Sequence, residues 1–214
     1  MRRRGAASLG RNLNHRFNVP IDNGNRWKHE KIRLRRLALE MVQPAHVLDL
    51  CCGAGEMFAA VWCQAASWRG TDASLDKVLR HPAAPFHAPA EAILAALPPA
   101  SYNLVDIDSY GAPWPLLAAL ASRRRLARGE RLAIVLTDGS VRRAALGLVE
   151  RTLATMAGVP PDLDRAHRQW RRLAEAALRY CAARMGGDLL VLKESDLPHH
   201  RWLIWHGLAV LEGR

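Results

Sequence analysis

The residues with the clearest capacity for chemistry lie in a glycine turn that follows a short apolar run. The segment is Val47-Leu-Asp-Leu-Cys-Cys-Gly-Ala-Gly55. A strand, a pair of glycines and a helix in this order place backbone N–H groups and the positive end of the helix beside a ligand. Asp49, four residues ahead of Gly53, needs a partner because an unpaired buried charge is very costly. A cationic amine of a ligand, or the N–H groups of the turn itself, would supply that partner.

The spacing around this turn narrows the class of ligand. A dinucleotide-binding fingerprint has a third glycine where this chain has Phe58, which argues against a nicotinamide cofactor. Asp72 follows Gly55 by 17 residues, at the end of a second predicted strand. An acid in this place commonly binds the ribose hydroxyls of a nucleoside. The alternative role of Asp72 is to cap a helix that begins near Ser74, and the two roles are compatible.

A second candidate site lies where another predicted strand ends in Asp108-Ser-Tyr-Gly111. Open α/β sheets bind and transform ligands at the carboxyl ends of their strands. An acid followed closely by an aromatic residue suits methylation of an exocyclic amino group. The Asp108 carboxylate can accept a hydrogen bond from the amine while the Tyr110 ring stacks on a base. A structural turn with a buried tyrosine is the alternative.

The glycine turn resembles the first motif of class I S-adenosylmethionine-dependent methyltransferases, Asp-x-Gly-x-Gly-x-Gly. Asp49, Gly53 and Gly55 match that motif, and Cys51 replaces its first glycine. The resemblance implies S-adenosylmethionine as the cofactor, held by Asp49, Cys51, Gly53, Gly55 and Asp72. It also implies an adenine contact from the third strand, but no acid stands in the segment Phe86–Ala90, so that contact stays unassigned.

The second site is similar to the Asp-Pro-Phe/Tyr-Gly signature of the tRNA guanine-N2 methyltransferase family, with Ser109 in place of the proline. Leu132–Asp138 and His200–Leu203 resemble later strands of that family, and the resemblance covers about residues 29–211. It implies methyl transfer to an exocyclic amine of a nucleobase in RNA, above all tRNA, with Asp108 and Tyr110 positioning the target. Methylation of DNA, protein or a small amine stays an alternative. So does a non-catalytic nucleic-acid-binding protein with a vestigial nucleoside site.

These residues must be brought to one edge of a sheet, and the pattern along the chain predicts such a sheet. Short apolar strands alternate with helices, which is typical of βαβ units and of a parallel sheet covered on both faces. We expect an α/β fold, a Rossmann-like three-layer sandwich with a seven-stranded, mostly parallel sheet and a C-terminal antiparallel hairpin. The predicted strands lie at 47–50, 68–71, 86–90, 102–107, 132–136, 188–193 and 202–211, and the predicted helices at 28–41, 54–65, 115–126, 140–157 and 162–185.

The net charge of +11 is concentrated near the N-terminus. Residues 1–36 hold 11 of the 31 Lys and Arg and only two acidic residues, a net of +9, so the other 178 residues carry +2. We expect a basic arm over residues 1–28 and one methyltransferase domain over residues 29–214. The arm predicts a nucleic-acid partner, RNA more than DNA, although an arm that only aids solubility would have the same composition. Its candidate phosphate contacts are Arg2, Arg3, Arg4, Arg11, Arg16 and Arg26.

The remaining composition argues against other classes of protein. Half of the 214 residues are hydrophobic, enough for one continuous core. The four cysteines form no CxxC pair, and Pro198-His-His200 lacks companion ligands, so we expect reduced thiols and no metal site. No apolar run approaches the length of a bilayer span, and none follows the basic start of the chain. We therefore expect no membrane partner and a cytoplasmic location.

Overall fold

The computed structural model describes residues 25–109, 111–195 and 204–214. Within these residues seven strands form one sheet: β1 (His46–Leu50), β2 (Ser67–Asp72), β3 (Phe86–His87), β4 (Leu104–Ile107), β5 (Arg131–Asp138), β6 (Gly187–Glu194) and β7 (Trp205–Gly213). Their order across the sheet is β3-β2-β1-β4-β5-β7-β6. The first five run parallel, and β7 pairs antiparallel with both β5 and β6. The predicted α/β fold with a mostly parallel sheet and a C-terminal antiparallel hairpin is confirmed.

The central strands bring the candidate residues to one edge of the sheet. Strands β1, β4 and β5 are buried along almost their whole length, as expected for apolar strands covered on both faces. Because these strands and β2 run parallel, they all end at the same edge. Asp72 and Asp138 are the last residues of β2 and β5, and Asp108 directly follows β4. The register also sets Asp49 of β1 opposite Asp106 of β4.

Helices cover both faces of this sheet and complete the three layers. In the described residues they are α1 (Asn25–Met41), α2 (Glu56–Ala60), α3 (Leu75–Arg80), α4 (Ala90–Ala96), α5 (Trp114–Arg123), α6 (Val141–Ala144), α7 (Arg151–Ala157) and α8 (Trp170–Arg184). One apolar core joins α1 to the sheet through Leu34, Ala38 and Trp62. The other apolar core joins the five helices from α4 through α8 to the opposite face of the sheet, around Trp114 and Leu178. None of the helices described is both long and apolar enough to cross a membrane.

Several predicted helix boundaries were wrong. Helix α1 begins at Asn25, ahead of Lys28, so Arg26 belongs to its first turn and not to an extended arm. The predicted helix 140–157 is two helices, because the chain turns at Gly147 with a left-handed φ of +76°. The predicted helix 162–185 is α-helical only from Trp170, since Arg165 adopts a φ of +52° and a short 3-10 turn follows it. The helix predicted over 54–65 is α2 followed by a 3-10 turn.

Candidate functional site

A cleft of about 680 Å³ opens at the carboxyl ends of the parallel strands. It is lined by the glycine turn after β1, by the loops after β4 and β5, and by Lys31 of α1. The two loops are joined, because Gly139 N–H donates to the carbonyl oxygen of Gly111 at 2.8 Å. The structure thus brings both predicted motifs, around Gly53 and around Asp108, into one cavity.

The two glycines of the turn are needed for different reasons. Gly53 has a φ of +63°, and a Cβ built on it would meet no atom within 4 Å, so this position faces open space. Gly55 has a φ of +92°, and its Cβ would lie 2.6 Å from the Pro82 side chain. Left-handed backbone is readily adopted only by glycine. The turn therefore leaves room for a ligand at Gly53 and packs tightly at Gly55.

Cys51 occupies a position where glycine would be expected on backbone grounds alone. Its φ is +71°, a left-handed conformation that a side chain with a Cβ rarely adopts. The side chain lines the cleft. Burial, together with the negative charges of Asp72 and Asp49, raises the pKa of the Cys51 thiol to about 12. The thiol is therefore neutral and unsuited to act as a nucleophile.

Asp49 is almost wholly buried, and its Oδ2 atom has no hydrogen-bond partner among the described residues. Burial raises the pKa of this carboxyl well above its ordinary value, and the nearby Asp106 carboxylate raises it further. Of the two partners expected for Asp49, the N–H groups of the glycine turn do not satisfy this oxygen. The Trp68 side chain, through a hydrogen bond to Asp49, offsets part of this rise in pKa. Most buried polar atoms have a hydrogen-bond partner, so Asp49 Oδ2 is a candidate contact for a donor group of a ligand.

Asp106 and Arg35 form a buried ion pair that the sequence analysis missed. Arg35 of α1 is 0% exposed. Its Nε donates to Asp106 Oδ2 at 2.7 Å, and its Nη2 donates to Oδ1 at 2.8 Å. Trp62 Nε1 also donates to Asp106 Oδ2, at 3.2 Å. The signal in the sequence was an acid inside an apolar strand, but nothing set Arg35 apart from the other cationic residues of its helix.

Lys31, one helical turn before Arg35, binds the predicted catalytic residue Asp108. Its Nζ lies 2.9 Å from Asp108 Oδ1 and 2.6 Å from Oδ2, and Arg35 Nη2 lies 3.2 Å from Oδ2. Burial raises the pKa of Asp108, but the positive charges of Arg35 and Lys31 outweigh that effect and bring it below the ordinary value. Asp108 is therefore ionised at neutral pH and can act as a hydrogen-bond acceptor.

Three acidic side chains lie close together around the end of β1. Asp49, Asp106 and Asp108 lie on one face of the sheet, because Asp49 and Asp106 are paired in register and Asp108 is two residues further on. In the described part of the chain, Lys31 and Arg35 are the two cations that contact this group. The two cations pair with Asp106 and Asp108, and the raised pKa of Asp49 favours its protonated form in the free protein. A cationic ligand group beside Asp49 would favour its ionised form instead.

Asp72 supports the glycine turn from the end of β2. Its Oδ2 accepts a hydrogen bond from the Gly53 N–H at 3.0 Å, and its Oδ1 accepts one from the Ser74 N–H at 2.8 Å. The alternative role expected for Asp72, capping of the next helix, was wrong: the N-cap residue of α3 is Ser74, and Asp72 binds that residue only through its backbone N–H, ahead of the helix. Each carboxylate oxygen can accept a second hydrogen bond, so contact with a ribose hydroxyl is compatible with these bonds.

The last two residues of β5, Thr137 and Asp138, have different surroundings. Asp138 accepts hydrogen bonds from Ser140 and from Trp114 Nε1, and it is fully buried. Burial raises its pKa to about 6. Thr137 lines the cleft, and its Oγ1 lies 3.2 Å from His206 Nδ1. Burial lowers the pKa of His206 to about 3, so this ring is neutral.

Some predicted residues lie outside the described part of the chain. Tyr110 is one of them, as are Pro198-His-His200 and the arm residues Arg2, Arg3, Arg4, Arg11 and Arg16. Arg26 has a described backbone position in α1 but no described side chain. In the residues that are described, no group of three or more His, Cys, Asp or Glu could hold a metal ion.

The sequence matches no protein-family model and no curated protein sequence. Solved structures do match. The N-methyltransferase NodS from Bradyrhizobium japonicum WM9, in complex with S-adenosyl-L-homocysteine, has a TM-score of 0.55 and 13% identity, over 90% of this chain and 90% of that chain. TYW2 from M. jannaschii, in complex with AdoMet, has a TM-score of 0.52 and 13% identity, over 92% of this chain and 80% of that chain.

A further similar structure is magnesium protoporphyrin IX methyltransferase (ChlM) from Synechocystis PCC 6803 with bound SAH. Its TM-score is 0.50 and its identity 17%, over 87% of this chain and 82% of that chain. The chain has the Rossmann-like methyltransferase fold. At these identities the likeness shows the fold alone, and the names of these proteins indicate different substrates or none.

Proposed function

We propose that this chain is an S-adenosylmethionine-dependent N-methyltransferase that acts on an exocyclic amine of a nucleobase in RNA, above all tRNA. The observation that carries the proposal is the buried carboxyl group of Asp49 beside the glycine turn, whose Oδ2 has no hydrogen-bond partner among the described residues. On a methyltransferase fold, a buried carboxyl group in this place would be stabilised by a cationic group of a ligand bound at the end of β1.

The residues of the turn suit S-adenosylmethionine. Asp49 would accept a hydrogen bond from the ammonium of its methionine part, and Asp72 would bind the ribose hydroxyls. Gly53 faces open space, so the backbone can approach the ligand closely, and the Cys51 side chain would form part of the wall. The bound cofactor supplies a methyl group that is already activated on a sulfonium. The protein therefore needs mainly to align the acceptor and to exclude water.

The loop after β4 suits an amine as the acceptor. Asp108 is held ionised by two cations and faces the cleft, so its carboxylate can accept a hydrogen bond from an amino group. Tyr110 is proposed to stack on the base, as its place in the sequence implies. The net charge of +9 over residues 1–36 supports a polyanionic substrate. A protein, DNA or small-amine acceptor is the alternative within the same chemistry.

Methyl transfer from labelled S-adenosylmethionine to bulk tRNA, rRNA, DNA and protein tests this proposal. We expect transfer to tRNA, and a loss of about 100-fold in rate for Asp108→Asn with unchanged cofactor affinity, since a misaligned acceptor costs about that much. Asp164→Asn, at a site 89% exposed, is the matched control. Transfer only to protein or DNA would contradict the proposed substrate. Cofactor binding without transfer to any acceptor would favour the non-catalytic alternative. The feature of the sequence that supports this alternative is Ser109, which stands where the similar family has a proline.

A further inference from the structure

The ammonium of Lys31 and the carboxylate of Asp108 lie side by side in the cleft. The Lys31 side chain is 24% exposed and that of Asp108 is 20% exposed, and both line the same cavity. The pair is fixed by α1, because Arg35 donates to Asp108 Oδ2 and also, through Nη1, to the carbonyl oxygen of Lys31 at 3.2 Å. A ligand that enters this part of the cleft meets both groups in a defined arrangement.

The contacts that Lys31 and Asp108 make with the described residues do not use all of their hydrogen-bonding capacity. An ammonium has three N–H donors, and Lys31 directs two of them to Asp108. A carboxylate offers about four acceptor positions, and Asp108 uses three of them, two for Lys31 and one for Arg35. Beyond these contacts with described residues, one N–H donor of Lys31 Nζ and one acceptor position of Asp108 Oδ1 remain for a ligand, and these two atoms lie 2.9 Å apart.

Such a donor and acceptor pair matches an amino group bonded to a carbon that also carries an unprotonated ring nitrogen. Adenine, cytosine and guanine each have this arrangement, with an exocyclic amine as donor and the adjacent ring nitrogen as acceptor. Uracil has no exocyclic amine, and the amine of a lysine side chain has no adjacent acceptor. A glutamine amide presents a similar pair, but the strongly basic N-terminal residues favour a nucleic acid.

We propose that Lys31 determines the specificity for the acceptor, by donating a hydrogen bond to the ring nitrogen next to the amine that Asp108 binds. This inference rests on the proposed function and adds to it the edge of the base that the site recognises, which carries the exocyclic amine and the adjacent ring nitrogen. A hydrogen bond from a charged donor to a buried acceptor changes binding by about 10- to 100-fold.

The test compares a natural acceptor with an analogue in which the adjacent ring nitrogen is replaced by C–H. The methylated base is first identified by mass spectrometry of digested tRNA, and transcripts carrying that base or its deaza analogue are then compared. We expect the wild-type kcat/KM to fall about 10- to 100-fold with the deaza transcript, and Lys31→Met to respond equally to both transcripts. Lys31→Gln keeps an N–H donor and should recover part of the preference.

Lys28→Met is the matched control. Lys28 lies on the same helix, but its ammonium pairs with Glu56 at 3.1 Å and not with Asp108, so the preference for the natural base should be that of the wild type. The equilibrium affinity for the two free nucleosides provides a readout that does not depend on turnover. The wild-type comparison needs no variant, so a poorly folded Lys31→Met protein would not remove the test.

Two results would overturn the inference alone: a wild-type enzyme that methylates both transcripts equally, or a Lys31→Met enzyme that keeps the wild-type preference. A methylated uridine as the product, or a methylated glutamine in protein, would also overturn it. Absence of transfer to every nucleic acid would instead defeat the proposed function and the inference with it.

Discussion

Asp49 has opposite effects on stability and on ligand binding. Its carboxyl is buried beside Asp106, its Oδ2 has no partner in the described residues, and burial raises its pKa. A group whose pKa is raised by folding binds its proton more tightly in the folded state. It therefore destabilises the fold progressively as the pH rises from the ordinary carboxyl pKa to the raised one. A bound cationic group would reverse that effect.

Asp49→Asn should therefore stabilise the ligand-free protein while weakening cofactor binding. We expect a gain of about 1 kcal/mol or more in the free energy of unfolding at pH 8 that shrinks toward pH 5. The affinity for S-adenosylmethionine should fall at least about 10-fold. Urea denaturation and isothermal titration calorimetry measure the two effects. Asp164→Asn should change neither, and a destabilised Asp49→Asn protein would show that the carboxylate has a partner within the chain.

Cys51 offers a direct measurement of backbone strain in the glycine turn. With a φ of +71°, the position should favour glycine over alanine, the reverse of their usual order in helices and strands. We expect Cys51→Gly to be about 1 kcal/mol more stable toward urea than Cys51→Ala, since both remove the thiol and only one removes the Cβ. Equal stability of the two variants would mean that the turn relaxes to an unstrained conformation when the thiol is removed.

Among the elements, α1 combines an ordinary core contact with charges directed at the site. Leu34 and Ala38 pack on the sheet, while Lys31 and Arg35, four residues apart, reach the carboxylates of β4 and the loop after it. Residues four apart lie on the same face of a helix. The helix therefore positions charged groups in the cleft as part of the same surface that packs on the core.

Removing Arg35 should leave Asp106 uncompensated. We expect Arg35→Met to lower the free energy of unfolding by about 3–5 kcal/mol, as found when one partner of a buried ion pair is lost. Adding Asp106→Asn should recover a large part of that loss, because the remaining buried charge is removed. Denaturant unfolding of both single variants and the double variant measures this coupling.

Arg33→Met is the control for that cycle. Arg33 pairs with Glu30 at the surface, where ion pairs contribute about 1 kcal/mol or less. The contradicting result is a double variant whose loss in free energy of unfolding equals the sum of the two single losses. The two side chains would then act on stability independently, and Arg35 would not compensate the charge of Asp106.

The elements that the sequence predicts well are those with a strong local signal. The apolar run Leu132–Leu136 lies within β5, and the glycine turn follows β1 as expected. Asp49, Gly53 and Asp72 could be predicted because each acid is one of the last two residues of a strand and the glycine lies in a turn. Arg35 could not, since an arginine that will be buried looks like its exposed neighbours until the partner strand is known. The left-handed φ of Arg165 had no local signal either.

At the scale of the whole molecule, the charge asymmetry predicts how RNA binding depends on salt. Helix α1 begins at Asn25, so residues 1–24 can be deleted without removing any residue of that helix. The deleted segment contains Arg2, Arg3, Arg4, Arg11 and Arg16. If these five neutralise phosphates of a single-stranded or looped RNA, they add roughly −3.5 to the slope of log affinity against log salt.

Deletion of residues 1–24 should then lower the affinity for RNA at both salt concentrations. The loss at 50 mM salt should exceed the loss at 200 mM salt by a factor on the order of 100. Cofactor binding should be unaffected. Fluorescence anisotropy with labelled tRNA over a salt series measures both slopes. Parallel lines for the full-length and truncated proteins would indicate a segment that serves only solubility, and would also count against nucleic acid as the substrate.

The strand order has a consequence for how the chain is synthesised and folds. Strand β7 follows β6 in sequence but lies between β5 and β6. A nascent chain that has released everything up to Glu194 therefore has an unpaired edge on β5, and β6 has no partner strand at all, until Trp205–Gly213 emerges. Unpaired edges of apolar strands are sites of aggregation. Ribosome stalling or premature termination between β6 and β7 should thus yield a product that depends on chaperones, although most of the ligand cleft is already encoded in it.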